Sequence, residues 1–209
     1  MADEDTKLQV LHDHYKDSFG FLQHYRKERD WLFVLLVVAL ILMLFQLSAP
    51  SQSGQAISEA VSTRLGLASR IDISFLGSVI WLALLGLLLR YCQTVVTMER
   101  QYKYIHALEE LLSSQYANKA FTREGKSYLA DYPLLSSWAS FFYTVLFPVL
   151  LLAVASARIA QELVGSTVLS AVLAFDAIAY LAVLTSAVLY LISIHRPKEK
   201  RDTDKEAAA

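Results

Sequence analysis

The chain has 209 residues, is 55% hydrophobic, and carries a formal net charge of −1 with a mean hydropathy of +0.39. The near-zero charge excludes the global basic field that gathers nucleic acid, and the lone Cys92 excludes an internal disulfide. The apolar residues are blocked into long runs instead of being dispersed at a helical period, which excludes an ordinary soluble domain.

Residues 1–30 form a polar arm that opens Ala2-Asp3-Glu4-Asp5 and lacks an early apolar segment with a small-residue cleavage site. The first apolar run is therefore expected to stay in place as a signal anchor. Within the arm, Tyr15, Phe19, Leu22 and Tyr25 recur in helical rhythm, with Gly20 as a weak point. Residues 31–47 (WLFVLLVVALILMLFQL) then predict the first transmembrane helix, since about 20 apolar residues cross about 30 Å of hydrocarbon.

The loop 48–72 is Ser/Gly/Pro-rich at its start, and Ile57, Val61 and Leu65 follow at i+4 spacing. That pattern predicts a short amphipathic helix, either on the outer leaflet or packed on the bundle. The second span is predicted at 73–89, so that 31–94 makes a transmembrane hairpin.

No Gly or Pro interrupts the chain from Arg90 to Ser114, so the second span is expected to continue as a helix into a cytoplasmic insertion, 95–137. A helix reaching Leu112 would project roughly 30 Å beyond the membrane. Val95, Met98, Tyr102 and Ile105 alternate at spacings of three and four and predict a packing seam. The seam has three candidate covers: the N-terminal arm, the same seam of a second subunit, or a cytosolic protein. Thr122 can cap a further short helix ending before Pro133, whose sticky face includes Tyr128 and Tyr132.

Spans three and four are predicted at 138–157 and 169–194, forming a second hairpin (138–194) before a polar tail, 195–209. Pro148 lies inside span three and is a candidate kink or hinge. On span four, Ala171, Ala174, Ala182 and Ser186 suggest a face for close helix approach. Basic residues crowd the arm, the central loop and the tail, whereas the other two loops hold only Arg64, Arg70 and Arg158. The positive-inside rule places both termini and the insertion in the cytoplasm. The expected fold is thus an all-α polytopic membrane protein with four transmembrane helices.

Asp176 is the one acidic residue read as lying well inside a span, where a carboxylate costs about 2.5–3.5 kcal/mol on insertion scales. Tyr180, at i+4, and Arg158, by snorkelling, are its candidate partners. Two readings of this intramembrane polar set stand side by side: an ion pathway, or a register-fixing carboxylate. The histidines are scattered, no phosphate loop, nucleophile elbow or metal motif occurs, and neither cofactor nor catalytic activity is expected.

The segment ERQYKYIHALEELLS, followed by FTREGKSYLADYPL and an aromatic-led span, resembles small bacterial four-span membrane proteins. Some of these are accessory or effector proteins of anti-phage defence loci. The resemblance covers about the middle third of the chain and brings no catalytic motif. It implies a homo-oligomer in the bacterial inner membrane whose cytoplasmic surface meets a cytosolic protein partner, and which forms a host-damaging pore when triggered. The leading expectation is an oligomeric effector or docking platform. A channel or small transporter using Asp176 is the alternative, and a membrane enzyme of unrecognised type the third.

Overall fold

The computed structural model describes residues 2–48, 50–65, 73–115, 134–165 and 170–195. Helix α1 spans Ala2–Ser48, α2 Pro50–Leu65, α3 Ile73–Gln115, α4 Leu134–Phe141, α5 Phe147–Gly165 and α6 Ala171–His195, with a π-helical turn at Phe142–Leu146. No strand occurs among the described residues. Four stretches, Thr6–Ser48, Phe75–Ser114, Phe142–Gly165 and Ala171–Ser193, are long and apolar enough to cross a bilayer. Among the described residues the chain is all-α, and its four long apolar helices suit a membrane protein. Tyr128, Tyr132 and the predicted Thr122 cap lie outside the described residues.

Only 28–39% of each apolar window is buried, while Val34, Val38, Ile41, Val79, Leu82, Ile178, Leu181 and Leu189 are exposed. A water-soluble bundle inverts that ratio, so these outward apolar faces suit lipid. What each helix buries is a narrow seam. Buried or half-buried positions on α1 fall at 11, 15, 18, 22, 25, 29, 32, 36, 39, 43 and 46, alternating fours and threes. On α3 they fall at 84, 88, 91, 95, 98, 102, 105, 109 and 112. This 3.5-residue repeat is the coiled-coil pattern, in which one stripe of each helix packs and the rest stays free.

By contact the chain divides into two compact units, one of Met1–Val34 and Arg90–Ala139, the other of Leu35–Leu89 and Ser140–Ala209. In the first, Leu22, Met98 and Ile105 form a buried cluster with Tyr15, Tyr25 and Tyr102 packed against it. The Tyr15 hydroxyl donates to Glu109 Oε1 (3.1 Å), and Arg26 Nε donates to the Tyr102 hydroxyl (2.9 Å) while its guanidinium sits 5.3 Å from the Tyr102 ring centre. Arg90 Nη2 and Glu28 Oε1 are 2.6 Å apart, and His14 hydrogen-bonds Tyr104. Early α1 residues meet late α3 residues, so the two helices run antiparallel.

Of the three covers open for the α3 seam, the chain's own N-terminal arm is the one found. Met98 and Ile105, 4% and 0% exposed, are buried in this cluster, and Val95 and Tyr102 are half-buried beside them. The weak point at Gly20 does not break α1, which is continuous through it. A Cβ added at Gly20 would meet nothing within 4 Å.

In the second unit Gln161 Nε2 donates to the Leu47 carbonyl (3.3 Å), and Arg158 lies against Gly77, where a Cβ would meet its guanidinium at 3.6 Å. These contacts bring the end of α1, the start of α3, the end of α5 and the start of α6 together, the arrangement of an up-down-up-down bundle. Helix α2 opens on Pro50, whose missing N–H suits a first helical position. Its buried positions are Ser58 and Ser62, while Val61 is only half-buried. Ser170 caps α6, its Oγ accepting the Leu173 N–H at 3.1 Å.

Two features differ from the sequence reading. Helix α5 runs past the predicted span end at 157 to Gly165 and carries Arg158 within it. The small-residue face of α6 is also rotated: Ala171 is exposed and Ala174, Ala182 and Ser186 are half-buried, whereas Ala179, Val183 and Ala187 are buried on a seam that includes Leu173, Asp176 and Tyr190. Small size alone did not fix the face; the 3.5 repeat does. Pro148 is buried and directly follows the π-helical turn. Its ring would crowd the Thr144 carbonyl in an α-helix, and widening the preceding turn relieves that crowding. The Phe147 N–H accordingly bonds the Phe142 carbonyl five residues back.

Leu22→Ala should open the α1–α3 pair by about 2–5 kcal/mol. Amide exchange across 98–112 should quicken by roughly thirtyfold or more, with 183–190 unchanged. Gly20→Ala should act the other way, stabilising α1 by about 0.5–1 kcal/mol, measured as a higher unfolding temperature in detergent.

Candidate functional site: a polar cluster among the spans

Several hydroxyls on the long helices bond back to a carbonyl of their own helix. Thr185 donates to the Leu181 carbonyl (2.8 Å) and Ser186 to the Ala182 carbonyl (2.7 Å), the four-residue back-bond expected where no water competes. One region of the second unit departs from this rule. It gathers Ser78 and Trp81 from α3, Ser156, Arg158, Gln161 and Glu162 from α5, and Asp176 and Tyr180 from α6.

The seam repeat explains the gathering. On α5 the packing positions run 148, 151, 155, 158 and 162, and on α6 they run 173, 176, 180, 183, 187 and 190. Arg158, Glu162, Asp176 and Tyr180 thus occupy seam positions that would otherwise be apolar. The Ser156 and Tyr180 hydroxyls share a hydrogen bond of 2.9 Å, which fixes the antiparallel register of the α5–α6 hairpin. In that register Asp176 falls opposite Ala160, between Arg158 and Glu162. Arg158 Nε is 2.8 Å from Glu162 Oε1, with both side chains about 15% exposed, and Arg158 Nη1 donates to Gln161 Oε1 at 3.3 Å. Trp81 meets the Tyr180 ring edge to face at 6.1 Å.

Four of the five buried polar side-chain atoms that close no hydrogen bond among the described residues lie in this cluster: Asp176 Oδ1, Glu162 Oε2, Ser78 Oγ and Trp81 Nε1. Trp81 N–H is directed at Glu162 and Ser78 stands beside Asp176, each short of a bond. Asp176 is 4% exposed and Trp81 1%. Glu162 feels the charges of both Arg158 and Asp176. Buried orphan polar atoms are costly, each by about 1–3 kcal/mol, so four converging on one place is unusual. The site holds two carboxylates against one guanidinium.

Asp176, Arg158 and Tyr180, singled out in the sequence, are thus brought together, but not as expected. Tyr180 bonds Ser156 instead of Asp176, and Arg158 takes Glu162 as its ion-pair partner. Asp176 is also shallower than expected, five residues into α6 or roughly 8 Å along its axis. Glu162, Gln161, Ser156, Ser78 and Trp81 were missed. The Arg158/Glu162 spacing of i+4 is a readable ion-pair signal, hidden by ending span three one residue before Arg158. Pro148 sits on α5 away from this cluster, and Val95, Met98, Tyr102 and Ile105 belong to the first unit. No family model matches the chain, and no curated protein or solved structure matches it either.

Arg158→Met should leave Glu162 buried without its partner and destabilise the protein by about 3–5 kcal/mol. The double variant Arg158→Met/Glu162→Leu should recover most of that loss. A double-mutant cycle on thermal unfolding in detergent measures both; purely additive losses would contradict the pairing.

Proposed function

We propose that this chain is a small cation-translocating membrane protein, a channel or compact transporter, whose ion site is the Arg158–Glu162–Asp176 cluster. The single observation that carries this reading is the charge imbalance: two buried carboxylates share one guanidinium, and one oxygen of each is unsatisfied. A charge excess of that sign attracts a cation, and intramembrane acids are commonly placed where ions or protons move. With the basic residues kept inside, the cluster lies at the extracytoplasmic end of the spans and both termini in the cytoplasm of a bacterial inner-membrane protein. The resemblance to anti-phage effectors supplies a setting, in which triggered ion leakage injures the host.

A second reading, an oligomeric docking platform, is favoured by a different observation. Outside the covered seam, the first unit exposes Val10, Phe21 and Leu111 at 56–63%. A homo-oligomer contact or a cytosolic protein would cover them.

Asp176→Asn should cut cation flux into proteoliposomes about tenfold, equivalent to about 1.4 kcal/mol on the limiting barrier, without changing oligomer size by native mass spectrometry. Wild-type protein that assembles but passes no cation would sink the translocation reading. Loss of a higher oligomer in Phe21→Glu/Leu111→Glu, with flux per protomer intact, would support docking at that face.

A further inference from the structure

The cluster also points to which cation it takes. We infer that the cation is a proton, held between the Asp176 and Glu162 carboxyls; this deepens the translocation reading and rests on it. A metal-ion site is acceptor-rich, with several oxygens turned inward and free of hydrogens. Here the order is reversed. Glu162 Oε1 already accepts from Arg158, and Trp81 N–H is aimed at the same carboxylate. Ser78 brings a hydroxyl beside Asp176, and Arg158 brings its remaining N–H groups. A metal cation would face the positive ends of the Arg158 and Trp81 N–H groups. Among the described residues no third His, Cys, Asp or Glu joins the two acids.

A proton meets no such conflict. Bound on Asp176 or Glu162, it makes one carboxyl neutral and leaves one carboxylate opposite Arg158, so the buried group becomes electrically balanced. The protonated acid gains an O–H that can donate to the open oxygen of the other carboxylate or to Ser78 Oγ. The transfer breaks one carboxyl O–H bond and forms the other, with no electron exchanged. The groups that face the pair are, from α3, Ser78 and Trp81, neither of which titrates in the usual range. From α5 they are Arg158 and Gln161, and from α6 Tyr180. Helix α1 contributes the Leu47 carbonyl through Gln161. Asp176, 96% buried with an orphan oxygen, is the atom-level reason that this is a site and not merely an acidic cluster.

The test is infrared spectroscopy of the full chain in nanodiscs at neutral pH, with selectively isotope-labelled Asp or Glu. A protonated-carboxyl carbonyl band should be present, should shift in heavy water, and should move with the Asp or Glu label. It should be lost or altered in the near-isosteric Asp176→Asn and Glu162→Gln; the labels assign it in wild-type protein even if a variant fails to fold. Proteoliposomes loaded with a pH dye should acidify under an imposed gradient when sodium and potassium do not cross. Absence of the band overturns the inference, as does a band that follows neither label. Sodium or potassium flux without the band overturns the proton but leaves translocation standing. The band without any flux leaves the shared proton standing and overturns translocation.

Discussion

Everything in this protein hangs on one constraint: helices in hydrocarbon have no water to push them together, so each has only a narrow stripe with which to hold its neighbours. The 3.5-residue repeat supplies that stripe. It passes along α1 from residue 11 to 46 and along α3 from 84 to 112. Because so little of each helix is buried, every seam position matters, and a polar residue there needs a partner on its own helix or a neighbouring one. Arg158, Glu162, Asp176 and Tyr180 sit on such positions. Their chemistry and the packing of the α5–α6 hairpin are the same fact seen twice.

The two units use polar contacts differently. In the first, tyrosine hydroxyls and long charged side chains reach over a small apolar core and pair across it: Tyr15 with Glu109, Arg26 with Tyr102, Arg90 with Glu28. In the second, donors and acceptors converge without closing. Closed contacts specify a partner helix, whereas buried polar atoms left open carry a free-energy cost. The convergence of four such atoms, more than hydropathy, separates the candidate site from ordinary structure.

Much of the fold was legible in the sequence because hydropathy is read off residue by residue. The four apolar helices follow from run length, and Met98, Tyr102 and Ile105 declared a seam through their spacing. What covered that seam was not legible, since Leu22 lies 76 residues from Met98 and periodicity carries no information about pairing. Asp176 was conspicuous as a charge in an apolar run. Glu162 was not, because a polar residue near a helix end looks like loop until the helix is known to continue. Trp81 and Ser78 gave no signal: one is an expected membrane aromatic, the other a small residue among many. The π-helical turn before Pro148 was anticipated only as a distortion, because a proline forbids an ordinary turn without dictating what replaces it.

The antiparallel pairing of α1 with α3 bears on how the chain is made. Tyr15 and Glu109 are 94 residues apart, and Glu28 and Arg90 are 62 apart. At about 5–20 residues per second, roughly 5–20 s separate the synthesis of Tyr15 from that of its partner. During that interval the Leu22 face of the nascent arm has no native cover, and two apolar segments must pass the insertion machinery first. The arm carries Asp13, Lys16, Asp17, Lys27 and Arg29 around its few apolar residues, charges of the gatekeeper kind that disfavour aggregation of an uncovered apolar face.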